Sequence, residues 1–163
     1  MKNRRTTDSI LTLLPKLMAF VLTLIMSTAL SAEKLNIDGE KLALEGYDPV
    51  SYFSQMPKKG YAALQISHQD VVYYFENEEN RLAFSKAPDK YIPAYGGWCA
   101  WAMLEGDKVA VDPLSYKIIN GKNHLYYNGF WGDTLEKWNK KATKEDEQDL
   151  IKLANKNWAS LNQ

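Results

Sequence analysis

The side chains that could bind a soft metal ion are few in this sequence outside its N-terminal region. They are Cys99, His68, His124, Met56 and Met103. Cys99 and Met103 lie four residues apart, so on a helix they would share one face. A thiolate and a thioether on one face suit Cu(I), and His68, or with less weight His124, would complete a mixed sulfur–nitrogen site. The spacing therefore predicts a copper-type centre around Cys99, with His68 and Met103 as partners.

Cys99 also allows two other interpretations. A lone cysteine among small and aromatic residues is commonly a buried packing group. It could also be a nucleophile that uses a histidine as its base. An exposed thiol in an exported protein would oxidise, so we expect Cys99 to be buried or occupied. Because the sequence has no phosphate loop, GxSxG elbow or HExxH motif, it favours a non-enzymatic protein.

The segment around Cys99 is also rich in aromatic residues and glycine. Tyr95, Trp98 and Trp101 lie within it, and Gly96 and Gly97 allow the backbone to turn sharply or to approach another group closely. Aromatic side chains commonly line pockets for organic molecules. The segment thus supports a second hypothesis, a small-molecule or protein-binding site, with plain core packing as the alternative.

Short elements must position these residues in the first half of the chain. Asp48 is a good N-cap for a short helix over Pro49–Phe53, although its carboxylate could instead face a binding site. Residues 63–67 and 71–76 have the composition of two strands. The turn between those strands would contain His68, which we expect to be exposed.

The second half of the chain predicts helices and one tight hairpin. The composition of residues 98–104 favours a helix, and Asn120-Gly121 is a strong hairpin turn signal. Asn77, Asp133 and Thr143 each begin a pattern that is typical of a helix N-terminus. The sequence therefore predicts an α+β fold, in which a small antiparallel sheet is covered by short helices and closed by a C-terminal helix pair.

Apolar stripes predict how the two C-terminal helices pack. Trp131, Leu135 and Trp138 follow an i, i+4, i+7 pattern, and Leu150 and Trp158 belong to a similar stripe in the last helix. We expect the tryptophans of these stripes to be core anchors.

Composition narrows the class of protein. The chain has 163 residues with 20 basic and 20 acidic side chains, and this balance argues against an electrostatic nucleic-acid binder. A single cysteine excludes an internal disulfide and a four-thiolate zinc site. A basic start, an apolar run from Leu17 to Leu30 and small residues after it predict a secretory signal peptide over residues 1–31. Residues 32–163 would then form one exported domain, periplasmic or secreted, with no stable membrane span.

Several motifs occur in a fixed order along the predicted mature chain. They are Glu45-Gly46-Tyr47-Asp48-Pro49, Tyr73-Tyr74-Phe75, Pro93-Ala94-Tyr95-Gly96-Gly97-Trp98-Cys99-Ala100, Asp112-Pro113 and Asn157-Trp158. Together they resemble the exported branch of the YHS domain family, and the resemblance covers nearly the whole predicted mature chain.

The resemblance implies a small module of a kind often described as metal-associated, with related domains beside copper-handling proteins. Metal-type members carry cysteines after the Asp-Pro-Val element and after the Tyr-Tyr-Phe strand, where this sequence has Ser51 and Glu76. The branch's own Tyr-Gly-Gly-aromatic-Cys-Ala segment remains, and it holds the only thiol, Cys99. We therefore expect an exported binding module whose partner is a metal ion, copper above all, or a small molecule.

Overall fold

The structure is a computed structural model that describes residues 35–162. The predicted signal peptide over residues 1–31 lies outside the described residues. Within the described range, no helix is both long enough and apolar enough to cross a membrane.

The first hairpin pairs β1 (Tyr61–His68) with β2 (Val71–Phe75) in antiparallel register. The turn between them consists of Gln69 and Asp70, which both have positive φ angles, 51° and 63°. Two such residues match the right-handed twist of the flanking strands. His68 is therefore the last residue of β1 rather than a turn residue, and it pairs with Val71.

Two helices follow this hairpin. Helix α1 spans Glu78–Lys86, and the Asn77 side chain caps it by accepting a hydrogen bond from the Asn80 amide, as the sequence predicts. The one-turn helix α2 (Pro88–Tyr91) follows directly. The Pro88 ring, which cannot continue α1, starts the new turn instead.

The second hairpin joins β3 (Asp112–Ile119) and β4 (Lys122–Tyr126) through the predicted Asn120-Gly121 turn. Both turn residues have positive φ angles, 52° and 72°. A two-residue ladder follows, formed by β5 (Asn128–Gly129) and β6 (Gly132–Asp133). The described chain thus contains three separate two-stranded antiparallel ladders rather than one continuous sheet.

The C-terminal helices are α3 (Thr134–Ala142) and α4 (Glu147–Leu161). Asp133 caps α3 by accepting hydrogen bonds from the amides of Leu135 and Glu136, as predicted. The cap of α4 is Asp146, so the prediction of a cap at Thr143 is wrong. Thr143 instead ends α3, where its amide bonds the Asn139 carbonyl, because the first helix runs on into the predicted cap.

The buried side chains form two clusters. The hairpin cluster contains Ala43, Leu44, Tyr52, Val71, Tyr73, Phe75, Phe84, Tyr91 and Leu125. The helix cluster contains Ala94, Tyr95, Ala100, Met103, Ile119, Tyr126, Trp138, Leu150, Ile151 and Ala154. Leu125 and Tyr126 are neighbours on β4 and belong to different clusters, because successive strand residues point to opposite faces. Strand β4 therefore separates the two clusters, and the predicted α+β class is confirmed.

The tryptophans of the predicted stripes have different environments. Trp138 is fully buried, and Trp158 packs partly buried against the helix cluster. Trp131 is 77% exposed, so its assignment as a core anchor is wrong. Helix α3 begins only at Thr134, and Trp131 belongs to the turn between β5 and β6 instead of the helical stripe.

Candidate functional site

The Tyr95-Gly96-Gly97 segment forms a left-handed turn. The three consecutive φ angles are 54°, 60° and 86°. Glycine adopts this conformation without steric penalty, whereas Tyr95 adopts it against the usual preference of a residue with a Cβ atom. The Trp98 amide closes the turn by donating to the Tyr95 carbonyl at 3.0 Å.

This turn anchors the first described residues of the chain. The Asn36 amide donates to the Gly96 carbonyl at 2.9 Å, and Asn36 Nδ2 donates to the Gly97 carbonyl at 3.0 Å. Further along, the Ala43 amide donates to the Val72 carbonyl at 2.9 Å. The segment over residues 35–45, hereafter the wall segment, is thus fixed at one end to the glycine turn and at the other to β2.

A cavity of about 220 Å³ lies beside the wall segment and the glycine turn. Its lining is mainly apolar and includes Leu35, Ile37, Leu42, Ala43, Leu44, Val71, Tyr73, Ile92, Pro93, Val111, Pro113 and Leu125. The backbone of Gly96 and Gly97 completes one side. Asp38 and Glu45 are the charged residues of the lining, which contains no lysine or arginine among the described residues.

Tyr73 is the aromatic residue of this lining, and its ring also packs against Phe84. The residue is 5% exposed, and its hydroxyl has no hydrogen-bond partner within residues 35–162. Burial raises the pKa of Tyr73 to about 12, so the hydroxyl stays protonated at neutral pH. It can therefore donate one hydrogen bond to a bound molecule or accept one from it.

The predicted aromatic binding residues divide between the cavity and the core. Gly96 and Gly97 line the cavity. Tyr95, Trp98 and Trp101 do not line it, because their side chains pack in or against the helix cluster. Aromatic composition alone could not separate these two uses, since both place the rings out of water.

Cys99 is fully buried and acts as a hydrogen-bonding group. Its sulfur accepts from the Tyr127 amide at 3.4 Å and lies 3.4 Å from Thr134 Oγ1. The Thr134 hydroxyl donates its single hydrogen to the Tyr127 carbonyl at 2.8 Å. The Cys99 thiol must therefore be the donor in its contact with Thr134. This network joins the Cys99 segment to the start of α3.

The segment after Cys99 does not form the predicted helix. A turn and a short 3-10 helix, Ala102–Leu104, take its place. The amides of Cys99 and Ala100 donate to the carbonyls of Val109 and Leu125, which lie outside the segment. Those tertiary bonds replace the local ones that a regular helix would need.

Met103 and His68 lie in different surroundings. Met103 is fully buried in the helix cluster, and its amide donates to the Cys99 carbonyl at 3.1 Å. The His68 ring packs edge-on against Phe84 of the hairpin cluster, with 6.1 Å between ring centroids. His68 is half-buried, so the prediction that it is exposed is wrong. Its Nε2 atom is buried and has no hydrogen-bond partner among the described residues. Residues 35–162 contain no group of three or more His, Cys, Asp or Glu side chains that could hold a metal ion.

Asp48 is a fully buried carboxylate whose oxygens bond to the protein itself. Oδ1 accepts from the Val50 amide at 2.8 Å, while Oδ2 accepts from the Glu76 amide at 3.0 Å and from Asn80 Nδ2 at 2.6 Å. The predicted helix over Pro49–Phe53 with Asp48 as its cap is wrong, because a 3-10 helix over Ser51–Ser54 forms instead and Val50 is its N-cap. The bonds of Asp48 tie this 3-10 helix to the end of β2 and to α1.

His124 is a buried residue to which the sequence pattern gave little weight. Its Nδ1–H donates to the Lys122 carbonyl at 3.0 Å, and its ring meets the Tyr95 ring at a centroid distance of 5.6 Å. Burial lowers the pKa of His124 to about 4, and the hydrogen bond to Lys122 opposes this shift only in part. The imidazole is therefore neutral at physiological pH. The sequence does not indicate this burial, because residues close to a turn are commonly exposed and His124 comes three positions after Gly121.

The low pKa of His124 predicts that acid destabilises the fold. The unfolded chain, with a histidine pKa of 6.5, binds more protons than the folded chain between pH 6.5 and about 4. The free energy of unfolding is therefore unaffected by His124 above pH 6.5 and decreases as the pH falls from 6.5 to about 4. Over the whole window we expect a loss of about 3 kcal/mol, of which about 2 kcal/mol falls between about pH 7 and pH 5. Urea unfolding at about pH 7, 6 and 5 measures the change in the free energy of unfolding over that range.

His124→Asn should flatten the difference between these unfolding curves, because Asn can keep the bond to the Lys122 carbonyl but does not titrate. His68→Asn is the matched control, since the chain contains only two histidines. The interpretation is wrong if His68→Asn removes the pH dependence and His124→Asn leaves it unchanged.

Comparisons with protein-family models, with curated proteins and with solved structures found no match to this chain. The resemblance to the YHS domain family therefore stays a prediction.

Proposed function

We propose that this protein is an exported, non-enzymatic binding module that holds a small, mainly apolar organic molecule in the cavity beside Gly96 and Gly97. The observation that carries the proposal is the cavity itself, with its apolar lining and the unpartnered hydroxyl of Tyr73. Ligand sites are typically concave and apolar, with a few polar groups that orient the ligand.

The volume of the cavity limits the size of the ligand. An apolar protein cavity of about 150 Å³ stays dry and binds benzene. The present cavity is larger, about 220 Å³, but smaller than the sites of most drug-sized molecules. It suits a molecule with one or two fused rings, or a branched alkyl group of similar size.

The charges of the lining limit the chemistry of the ligand. Asp38 and Glu45 line the cavity and no described basic residue does, so the local field disfavours an anion. Asp38 already accepts hydrogen bonds from the amides of Glu40 and Leu42 through Oδ1. A neutral or cationic ligand with one polar group fits this lining, with the Tyr73 hydroxyl as its hydrogen-bond partner.

Titration with three ring compounds tests the proposal. Indole and benzylamine should shift the amide resonances of residues around the cavity in NMR spectra, with dissociation constants of about 0.1–1 mM, as expected for so few heavy atoms. Benzoate should bind at least about tenfold more weakly because of the two carboxylates. Tyr73→Phe should weaken binding of benzylamine without unfolding the protein.

A blocking variant and a matched control complete this experiment. Ala110 is an exposed residue of the lining, so Ala110→Trp should fill the entrance and abolish the shifts. Ala159 is exposed on α4 and is absent from the lining, so Ala159→Trp should leave them unchanged. Equal binding by both variants, or no binding of either compound by the wild-type protein, contradicts the proposal.

The copper hypothesis has less support from the geometry. The sulfur of Cys99 is buried and already takes part in two hydrogen bonds. Among the described residues, His68 packs against Phe84 while Met103 lies in the helix cluster, so the three predicted ligands do not form one donor set. Copper titration of the wild-type protein and of Cys99→Ser tests this alternative directly. Stoichiometric binding that the substitution abolishes would favour copper over the cavity ligand.

The thiol-enzyme hypothesis also has little support. A nucleophilic cysteine needs an accessible thiolate. Cys99 is fully buried, and its thiol donates to Thr134. Alkylation of Cys99 in the folded protein, at a rate close to that of the unfolded chain, would revive this hypothesis.

A further inference from the structure

Two aromatic side chains project from the turn between β5 and β6. Phe130 is 90% exposed and Trp131 is 77% exposed, the two highest values among the large apolar side chains of the described chain. Their rings touch edge to face, with centroids 5.0 Å apart. Single exposed apolar residues are common on protein surfaces, but two adjacent rings at the tip of a hairpin form a projecting apolar patch.

The backbone beneath these rings is held firmly. Asn128 pairs with Asp133 and Gly129 pairs with Gly132 across the ladder. The Trp131 amide donates to the Tyr127 hydroxyl at 3.2 Å, and Lys137 Nζ donates to the Trp131 carbonyl at 3.4 Å. The exposure of the rings is therefore built into the fold and does not result from a loose loop.

One lysine contacts this tip, and further exposed lysines follow along the chain. Helix α3 starts one residue after β6 and contains three lysines and one glutamate. Lys137 contacts the tip directly, and Lys140 follows one turn later on the exposed side of the helix. Lys144 comes one turn further and is also exposed. Lys141 differs from these, because it forms an ion pair with Glu145.

We infer that the Phe130–Trp131 tip inserts into the headgroup region of an anionic lipid bilayer, while Lys137, Lys140 and Lys144 contact the lipid phosphates. Tryptophan and phenylalanine favour the membrane interface because their rings tolerate its mixed polarity. Lysines beside them add attraction to anionic headgroups. This charge pattern favours a lipid surface over an uncharged apolar protein groove.

The attachment is weak and reversible. Two rings and a few lysines provide far less binding free energy than a membrane-spanning helix does. The protein therefore exchanges between the bilayer surface and solution. The attraction of the lysines is screened by salt, whereas insertion of the rings is not. The protein therefore binds anionic bilayers more tightly than neutral ones, and added salt reduces the difference.

Vesicle co-sedimentation tests the inference on the protein recovered after export. One vesicle preparation contains phosphatidylcholine alone, and the other contains about one quarter phosphatidylglycerol. The wild-type protein should favour the anionic vesicles, and raising salt from about 20 mM to about 200 mM should reduce that preference. Brominated lipids should quench the fluorescence of Trp131, which is identified by comparison with Trp131→Phe.

Three variants separate the possible outcomes. The Phe130→Ser/Trp131→Ser double variant should bind anionic vesicles at least about tenfold more weakly. Lys140→Gln/Lys144→Gln should lose only the preference for anionic vesicles, and Lys137 stays in place because it bonds to the Trp131 carbonyl. Leu114→Ser is the matched control, because Leu114 is also exposed, at 56%, and its loss should change nothing.

The inference is overturned if the double variant and the control bind vesicles as the wild-type protein does. It is also overturned if light scattering shows a concentration-dependent dimer that the double variant abolishes while no vesicle binding is seen. That second result would assign the tip to contact between two copies of the chain.

Discussion

Replacing Gly60 by alanine should destabilise the protein by about 4 kcal/mol, or prevent it from folding. Gly60 directly precedes β1 and crosses close to β2. A Cβ atom at this position would overlap the amide nitrogen of Phe75 and the carbonyl carbon of Tyr74, and it would lie 2.7 Å from Tyr74 Cβ. The first two contacts are with backbone, so no side-chain rotation can relieve them.

The overlap cannot be relieved by moving Gly60 either. Its amide donates to the Gly46 carbonyl at 2.8 Å, which fixes it against the loop that carries Asp48. Urea unfolding of Gly60→Ala measures the effect. Gly39→Ala is the matched control, because a Cβ atom there would have nothing within 4 Å. Stabilities of the two variants that agree within about 0.5 kcal/mol would contradict the predicted close approach.

Replacing Asp48 by alanine should cost about 2–4 kcal/mol of stability. The substitution leaves three donors without their acceptor, namely the amides of Val50 and Glu76 and the side-chain amide of Asn80. A buried donor that loses its partner forfeits its full cost of desolvation. Asp48→Asn should cost less than Asp48→Ala, because one acceptor oxygen remains.

Asp146→Ala provides the matched control for Asp48. Asp146 also accepts a backbone hydrogen bond, from the Gln148 amide at 2.9 Å, but it is an exposed helix cap. Loss of such a cap typically costs about 1 kcal/mol. Thermal unfolding should therefore rank Asp48→Ala far below Asp146→Ala in stability. A similar loss in both variants would mean that Asp48 is no more than a local cap.

The elements that the sequence predicts correctly depend on local interactions. The Asn120-Gly121 turn and the caps Asn77 and Asp133 each involve residues within a few positions of one another. Their preferences follow from backbone sterics and short-range hydrogen bonds, which a single sequence reveals. The prediction of a cap at Thr143 fails for the same local reason, since Asp146 offers an equally good cap three residues later.

The features that the sequence does not reveal depend on distant partners. The carboxylate of Asp48 reaches Glu76 and Asn80, which are 28 and 32 positions away. Trp131 matches a helical stripe by spacing, yet two glycines and the β5–β6 ladder remove it from the helix. Only the three-dimensional arrangement shows which of two adequate local patterns is used.

The candidate site was predicted in part. The sequence predicts Gly96 and Gly97 as ligand-binding residues because glycine lets the backbone approach another group closely, and both line the cavity. The remaining lining comes from the wall segment, β2, Leu125 of β4 and the segments 92–93 and 110–113, whose apolar residues look like ordinary core. A cavity is a volume that the surrounding side chains leave unfilled. The residue types of its lining do not show whether that volume is filled.

The wall segment also has a consequence for the order in which the protein folds and opens. Asn36 bonds Gly97 across 61 positions of the chain, so this contact closes a long loop and gains little until most of the domain has been made. The first part of the wall segment, residues 35–38, therefore docks late and detaches early, whereas Ala43 and Leu44 stay in the hairpin cluster. The Asn36 amide should therefore exchange its hydrogen with solvent faster than the amides of β2. The rate at which the cavity admits a molecule would then be set by the opening of this segment.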